Sequence, residues 1–222
     1  MVKGVIFDMD GLMFDSEKLS TILWAQAGEE TGIEIKEAFV DRFRGRNPEA
    51  IRNTFLDEYG AEFDYEKCSS IKTRLMHKYV EEKGVPVKYG LLELLQYLKE
   101  AEMKMAVATS TERPLAEKML KREGVYEYFH AMAFGDMVER SKPYPDIFLE
   151  AAKLMEVPIE NCLVLEDSVA GVEAGKAAGG YIIHIPDVLQ VPKNVKTGIT
   201  AEMKNLKEVI PWIEKENNSN RK

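Results

Sequence analysis

Several features that define whole classes of protein are scarce in this chain of 222 residues. Its two cysteines, Cys68 and Cys162, are too few for a disulfide framework and have no zinc-binding spacing, so we expect packed free thiols. No apolar run is long enough to span a bilayer, and the N-terminus lacks the basic and then apolar pattern of a signal peptide. We therefore expect a cytoplasmic protein that does not bind membranes.

Basic residues are also in deficit. The chain has 30 Lys and Arg against 38 Asp and Glu, which gives a formal net charge of −8. A nucleic-acid-binding protein normally carries a basic face, so this balance argues against nucleic acid as a partner. An acidic protein that acts on anionic substrates must create positive potential locally, and a bound divalent cation is one means.

The first part of the chain combines one strand with a block of helices. Val2–Phe7, which ends in the apolar run Val5-Ile6-Phe7, predicts a short buried strand. Helix-period apolar residues then continue to about Gly84, with no convincing strand between them. The predicted helices are Glu17–Thr31, Lys36–Phe43, Pro48–Tyr59 and Tyr65–Glu82.

Beyond Gly84, helices and strands alternate, which is typical of a parallel sheet with helices on both faces. The predicted helices are Leu91–Ala101, Arg113–Glu123, Pro145–Met155 and Val169–Ala178; the predicted strands are Lys104–Ala108, Ala131–Phe134, Cys162–Leu165 and Tyr181–Ile185. We expect the polar tail, Asn217–Lys222, to fray. The helical block thus interrupts an α/β fold after its first strand. Ligands bind such sheets beyond the carboxyl ends of the strands, where an inserted domain can act as a lid.

Two carboxylates follow the first predicted strand. Asp8 is the candidate nucleophile, because a carboxylate can attack phosphorus and hold the phosphoryl group as an acyl phosphate. Asp10 is the candidate general acid and base for the leaving alkoxide and the attacking water. The alternative is a polar turn that closes the strand, since Asp and Gly are common turn residues.

Other polar residues lie at later strand ends. The Thr109 hydroxyl and the Ser110 backbone amide could donate to a phosphoryl oxygen, although Thr109 could instead cap a helix. Pro143 and Pro145 restrict the backbone directly after Lys142, and Lys142 could neutralise both nucleophile and phosphate. The alternative for Lys142 is an ordinary solvated surface charge.

Glu166 and Asp167 follow the strand predicted at Cys162–Leu165. Four carboxylates and Lys142 at one edge would leave a net charge that a hard divalent cation such as Mg²⁺ offsets. The alternative is an acidic helix N-terminus favoured by the helix dipole. The complete set, each member at a predicted strand end, favours phosphoryl transfer over these separate explanations.

These residues resemble the motifs of the haloacid-dehalogenase superfamily, in its β-phosphoglucomutase-like branch, which includes bacterial sugar-phosphate phosphatases. The resemblance implies a Rossmann-like parallel-sheet core, residues 1–15 and 84–222, with an inserted helical cap, residues 16–83. It also implies Mg²⁺ bound by Asp8, the Asp10 main-chain carbonyl and Asp167, with Glu166 acting mostly through water. The motifs that carry the resemblance are Asp8-Met9-Asp10-Gly11, Thr109, Ser141-Lys142-Pro143 and Glu166-Asp167-Ser168.

The resemblance also separates reactions within the superfamily. Dehalogenases lack the second Asp of the first motif, and cation-pumping ATPases have Thr there, so Asp10 argues against both. Mutases of this branch carry a His and an Arg in the cap, where this chain has Ser20 and Pro48. Candidate substrate-binding residues in the cap are Ser20, Trp24, Arg44, Arg46 and Lys72, with core packing as the better explanation for Trp24.

The sequence therefore predicts a Mg²⁺-dependent phosphatase that hydrolyses several small phosphorylated carbohydrates through an aspartyl-phosphate, with Mn²⁺ or Co²⁺ as other possible metals. A sugar phosphomutase is the first alternative, and a non-catalytic ligand-binding protein is the second. The retention of both Asp8 and Asp10 argues against the second. We expect a monomer, because a small cap leaves the entrance to the core accessible.

Overall fold

The computed structural model describes residues 1–44, 46, 48–188 and 191–219. These residues contain one parallel sheet of six strands, in the spatial order β3-β2-β1-β4-β5-β6. The central strand is therefore β1, with β2 and β4 as its neighbours. The strands are β1 (Gly4–Phe7), β2 (Lys104–Thr109), β3 (Ala131–Phe134), β4 (Cys162–Glu166), β5 (Tyr181–His184) and β6 (Ala201–Glu202).

Helices connect the strands and cover both faces of the sheet. Between β1 and β2 lie α1 (Ser16–Thr31), α2 (Glu37–Val40), α3 (Pro48–Tyr59), α4 (Tyr65–Lys83) and α5 (Leu91–Glu100). The later helices are α6 (Arg113–Arg122), α7 (Asp146–Leu154), α8 (Val169–Ala178), α9 (Lys193–Lys196) and α10 (Val209–Ser219). This is the α/β architecture with a helical insertion that the sequence predicts.

The side chains of β1 show why its sequence is apolar throughout. Val5 and Phe7 belong to the hydrophobic cluster on one face of the sheet, and Ile6 belongs to the cluster on the other face. Successive side chains of a strand point to opposite faces, so a strand covered by helices on both sides needs apolar residues at every position. All four residues of β1 are accordingly buried.

The chain leaves and re-enters the sheet at one place. The backbone N–H of Asp15 donates to Pro86 O at 2.9 Å, and the N–H of Lys88 donates to Met13 O at 2.9 Å. Phe14 and Val87 form an antiparallel bridge between the same two connections. Helices α1–α4, called the cap below, are therefore inserted beyond the carboxyl end of β1.

Aromatic rings form a separate hydrophobic cluster inside the cap. Phe55 is fully buried at the centre of this cluster, with its ring centroid 4.9 Å from those of Trp24 and Phe39. The predicted helix Lys36–Phe43 is shorter than expected, since only Glu37–Val40 is α-helical. After it, the N–H of Phe43 donates to Val40 O at 3.1 Å, an i to i−3 bond that tightens the backbone and ends the α-helix.

The prediction of a frayed tail is wrong for residues 217–219, which belong to α10. Asn217 Oδ1 accepts a hydrogen bond from Val2 N at 2.9 Å, and its Nδ2 donates to Val2 O at 3.2 Å. The buried pair Val209 and Ile213 lies four residues apart on α10, a helical spacing that the sequence already contained. Residues 220–222 of the predicted tail lie outside the described residues. The expectation of two buried free thiols, at Cys68 and Cys162, is confirmed.

The aromatic cluster of the cap generates the first prediction. Phe55→Ala should lower the free energy of unfolding by about 3–5 kcal/mol, because it removes the fully buried ring on which the other rings pack. Urea titration monitored by circular dichroism measures this loss. Phe63→Ala, which truncates a half-buried ring stacked on Phe55 at 5.8 Å, is the matched control and should cost clearly less. Equal losses for the two variants would contradict a central role for Phe55.

Candidate functional site

The carboxyl ends of three neighbouring strands bring the predicted residues together. Asp8 directly follows β1, Thr109 is the last residue of β2, and Glu166 is the last residue of β4. Phe7 is in register with Val107 on one side and Leu165 on the other, so these three polar residues lie at the same edge. All three are buried, at 6%, 1% and 0% exposure respectively.

Lys142 reaches this edge from the loop that precedes α7 and joins two of its carboxylates. Its ammonium donates to Asp8 Oδ1 and to Glu166 Oε1, the latter at 2.7 Å, and its side chain is 7% exposed. The same ammonium lies 3.4 Å from Ala108 O, at the end of β2. Lys142 is therefore in direct contact with Asp8, as the predicted neutralisation of Asp8 requires.

The charge states at this edge follow from the contacts. Burial alone would lower the pKa of Lys142, but Asp8 and Glu166 outweigh it and raise the pKa above its usual range. The ammonium is therefore charged at neutral pH. Burial raises the pKa of Asp8 well above its usual value, with further increases from Glu166 and Asp10, while Lys142 acts in the opposite direction. Additional positive charge at this edge would favour the ionised Asp8 carboxylate.

Glu166 is held from several sides. Its Oε2 accepts hydrogen bonds from the backbone N–H groups of Asp167 and Ser168, at 2.8 and 2.9 Å, and from Ser168 Oγ at 3.1 Å. A Cβ atom on Gly171 would lie 1.7 Å from Glu166 Oε1, so α8 can approach this carboxylate only with glycine there. Glu166 therefore fixes Lys142 and the loop that carries Asp167.

The side chain of Asp10 is contacted by hydroxyl groups. Ser16 Oγ donates to Asp10 Oδ1 at 2.7 Å, and Thr111 Oγ1 donates to Asp10 Oδ2 at 2.6 Å. Thr109 Oγ1 is 3.4 Å from the same Oδ2 and accepts a hydrogen bond from Thr111 N at 3.0 Å. Ser110, whose backbone amide was the other predicted phosphate donor, is exposed between the two threonines. Sequence analysis missed Ser16 and Thr111, because no spacing rule distinguishes them from helix-capping residues.

Asp167 is the carboxylate whose environment is least complete. It is 9% exposed, and its Oδ1 is buried without a hydrogen-bond partner among the described residues. Burial raises its pKa well above the usual value, and Glu166 and Asp8 raise it further. Leaving a buried carboxylate oxygen without a partner is costly, and a cation relieves that cost.

Few side chains at this edge are available as ligands for a divalent cation. Within the described ranges, no group of three or more His, Cys, Asp or Glu side chains forms a site that could hold a metal ion by itself. The donor set implied by the resemblance has only two direct carboxylates, Asp8 and Asp167, beside the Asp10 carbonyl. Mg²⁺ commonly takes one or two carboxylates and completes its shell with water and substrate phosphate, so a donor set with two direct carboxylates suits it.

A buried histidine behind this edge was not predicted. His184, the last residue of β5, is fully buried, with Nε2 3.2 Å from Asp167 O and Nδ1 3.1 Å from Glu202 Oε2. Both ring nitrogens therefore face acceptor oxygens, and the imidazole links the Asp167 main chain to Glu202. His184 thereby fixes the backbone of Asp167. The pairing of β5 with the two-residue strand β6, which the sequence did not reveal, brings Glu202 to it.

The cap contains a buried arginine side chain that forms ion pairs with residues of the first part of the chain. The Arg44 side chain is 4% exposed; its guanidinium donates to Glu17 Oε2 at 3.1 Å, to Thr21 Oγ1 at 2.9 Å and to Asp41 Oδ1 at 2.8 Å. Burial raises the pKa of Glu17, and the Asp10 charge raises it further, while Arg44 opposes both. The charge of Arg44 is thus compensated inside the cap, which makes Arg44 a poor candidate for direct contact with substrate.

The other cap candidates differ in their surroundings. Lys72 Nζ lies 5.7 Å from the centroid of the Trp24 ring, and burial lowers the pKa of Lys72 while Asp10, Glu17 and Glu112 oppose the decrease. No ion-pair partner is found for Lys72 in the described part of the chain. Trp24 is 4% exposed within the aromatic cluster, Ser20 is half-buried, and Arg46 is exposed beside Gly45, which lies outside the described residues.

Within the described residues, the chain contains no helix of sufficient length and apolarity to cross a membrane.

Comparisons with known proteins agree on the fold. The crystal structure of CbbY from Rhodobacter sphaeroides in complex with phosphate superposes with a TM-score of 0.82, at 26% identity, over 94% of this chain and 96% of that one.

Two bacterial relatives match most of the chain. The phosphorylated carbohydrates phosphatase of Thermotoga maritima is 33% identical over 182 residues, covering 80% of this chain and 82% of its own. The β-phosphoglucomutase of Bacillus subtilis is 31% identical over 195 residues, covering 83% of each. The family model for haloacid dehalogenase-like hydrolases matches residues 2–179. The chain therefore belongs to the haloacid dehalogenase-like hydrolase family.

Proposed function

We propose that this protein is a Mg²⁺-dependent phosphatase that hydrolyses small phosphorylated carbohydrates through an aspartyl-phosphate intermediate. The observation that carries the proposal is the different treatment of two neighbouring carboxylates. Asp8 is paired with the Lys142 ammonium, whereas both oxygens of Asp10 accept from hydroxyl groups. A nucleophile needs the first environment and a group that gains and loses a proton needs the second.

In the first step, a carboxylate oxygen of Asp8 attacks the phosphorus atom and forms an acyl phosphate. The bond between phosphorus and the ester oxygen breaks, and the leaving sugar alkoxide takes a proton from Asp10. Lys142 lies beside Asp8, where its charge would offset that of the phosphoryl oxygens. Thr109 and the Ser110 backbone amide are the proposed further phosphate donors.

In the second step, water attacks the phosphorus of the acyl phosphate and gives one proton to Asp10. The bond between phosphorus and the Asp8 carboxylate oxygen breaks, inorganic phosphate leaves, and Asp8 is regenerated as a carboxylate. Asp10 therefore alternates between acid and base. Its partners, Ser16 and Thr111, are hydroxyls that can reorient their protons as Asp10 changes its protonation state.

The proposed ligands of the metal are Asp8, the main-chain carbonyl of Asp10 and Asp167. Glu166 supports the ion indirectly, through water, because its oxygens already accept from Lys142 and from the Asp167 loop. The unpartnered Asp167 Oδ1 is the observation that favours a cation here. When bound, Mg²⁺ polarises the phosphoryl oxygens and reduces their repulsion by Asp8. Mn²⁺ and Co²⁺ remain the predicted substitutes.

We propose that the cap selects substrates through few polar contacts. Lys72 is half-buried, its charge interacts with that of Asp10, and it has no compensating anion at ion-pair distance within the described residues, unlike Arg44. Ser20, Trp24, Arg44 and Arg46 remain lower-ranked proposals. Three further statements remain predictions from the sequence. They are the division into a core of residues 1–15 plus 84–222 and a cap of residues 16–83, the monomeric state, and the cytoplasmic location.

A sugar phosphomutase is the second candidate function, because the relatives include a β-phosphoglucomutase. Ser20 and Pro48 stand where the resemblance places the charged residues with which mutases grip the second phosphate group. Arg44 could not readily replace them, since Glu17 and Asp41 already neutralise it. A cap that binds a sugar bisphosphate weakly favours attack of water on the acyl phosphate over transfer of the phosphoryl group back to the sugar.

The nucleophile is tested by Asp8→Asn. With Mg²⁺ and a panel of sugar phosphates, the wild-type protein should release inorganic phosphate from several sugars, and Asp8→Asn should reduce the rate by at least about 10³-fold, because an amide is a poor nucleophile. Phosphate is measured colorimetrically. Asp136→Asn, in a segment that follows β3, is a control of the same chemistry and should retain activity.

One outcome would contradict the assignment of Asp8, and another would contradict the phosphatase function. Full Mg²⁺-dependent hydrolysis by Asp8→Asn would exclude an aspartyl-phosphate at Asp8. Conversion between hexose 1- and 6-phosphates on addition of a bisphosphate, with little phosphate release, would instead identify a mutase.

The cap assignment is tested by Lys72→Met. This change should raise KM for phosphorylated sugars about tenfold with a smaller effect on kcat, because it removes an ammonium that would bind substrate through its charge. Steady-state kinetics provide both constants. Lys78→Met is the matched control on α4, with a side chain 67% exposed, and should leave KM unchanged. An unchanged KM in Lys72→Met would exclude Lys72 as a substrate contact.

A further inference from the structure

A further carboxylate lies at the same edge of the sheet. Asp187 follows β5 by three residues, and its side chain is only 6% exposed. Asp187 Oδ1 accepts from Lys88 Nζ, so one of its oxygens is compensated. Asp187 Oδ2 is buried and has no hydrogen-bond partner in the described residues.

The position of Gly11 shows that Asp187 and Asp167 converge. A Cβ atom on Gly11 would lie 2.2 Å from Asp167 Oδ2 and 3.1 Å from Asp187 Oδ2. The two carboxylates therefore approach one point beside the main chain that follows Asp10. Gly11 has a φ of 84°, a left-handed conformation that also favours glycine, so this backbone leaves space that both side chains use.

The Oδ2 atoms of two carboxylates meet at this place, and each carboxylate has one buried oxygen without a partner among the described residues, Oδ1 of Asp167 and Oδ2 of Asp187. Two such anions repel each other unless a cation lies near them. Lys88 compensates only the far oxygen of Asp187, and Lys142 contacts Asp8 and Glu166. We infer that Asp187 is a further residue of the divalent-cation site: its Oδ2 receives the water shell of the ion bound at Asp167, and Lys88 fixes its orientation. This inference rests on the metal site of the proposed function.

Lys88 connects this arrangement to the cap. It lies on the connection that returns from the cap to the sheet, where its N–H donates to Met13 O at 2.9 Å. The Lys88 and Asp187 pair therefore joins the returning connection to the metal edge. An ion pair with only a structural role would join the same two segments. The two roles differ in how substitutions of Lys88 and Asp187 change the affinity for metal.

Electrostatics distinguishes them through the sign of two substitutions. Removing the Asp187 charge takes an attractive anion from the ion, whereas removing the Lys88 charge takes away a repulsive cation. A cation-site residue thus predicts opposite effects on metal affinity. A structural fastening predicts the same effect, because either substitution breaks the same pair.

The test measures binding of Mn²⁺ alone to the full chain, with free Mn²⁺ followed by its electron paramagnetic resonance signal. Asp187→Asn should weaken Mn²⁺ binding about tenfold, which is the usual scale for loss of an outer-shell carboxylate. Lys88→Met should strengthen binding about twofold by relief of repulsion, and Lys88→Arg should leave it unchanged. Lys207→Met, which breaks an exposed pair with Glu93, is the control for loss of a lysine charge and should have no effect.

Asp167→Asn separates failure of this inference from failure of the metal site. If Asp167→Asn abolishes Mn²⁺ binding while Asp187→Asn does not change it, Asp187 has no role in the site. Equal weakening by Asp187→Asn and Lys88→Met would assign the pair to structure and overturn the inference. Unchanged binding in Asp167→Asn would overturn the proposed metal site and this inference together. Unfolding midpoints measured without metal verify that each variant is folded.

Discussion

The contact of one ammonium with two buried carboxylates is the interaction on which the rest of the site depends. Lys142 joins Asp8, which follows β1, to Glu166, which ends β4, and it also approaches the end of β2. Removal of one member of a buried ion pair leaves an uncompensated charge at a cost of about 3–5 kcal/mol. The same contact leaves Asp167 and Asp10 outside the pairing, so the edge retains negative charge for a cation and a separate group for proton transfer.

Much of this edge could be predicted because it depends on local signals. Apolar runs locate the strands, and polar residues that follow them must gather at the carboxyl ends of a parallel sheet. Asp8, Thr109 and Glu166 illustrate this rule. The contacts of Ser16, Thr111, His184 and Asp187 depend on tertiary packing between distant segments, and each of these residues has an ordinary local explanation as a cap, strand or turn residue. Their contacts therefore become visible only in the folded structure.

The cap shows how charge compensation limits inference from sequence. An arginine in the cap of a phosphate-binding protein suggests a substrate contact, but Arg44 lies between Glu17 and Asp41 and is almost fully buried. The distance of 27 residues between Arg44 and Glu17 gave no indication of their contact. Lys72 has the opposite character, since it is half-buried, lies over the Trp24 ring and has no ion-pair partner among the described residues. The surroundings of a charged residue decide whether it can serve a ligand.

The central claim is that Asp8 becomes phosphorylated during turnover. The most direct measurement is rapid acid quenching of the enzyme during hydrolysis of a sugar phosphate, followed by mass spectrometry of its peptides. The account predicts that the peptide containing Asp8 transiently carries the mass of one phosphoryl group, and that the label is lost on mild alkaline treatment, as expected of an acyl phosphate. Rapid turnover with no label on that peptide at any quench time, or label on a different residue, would contradict the account.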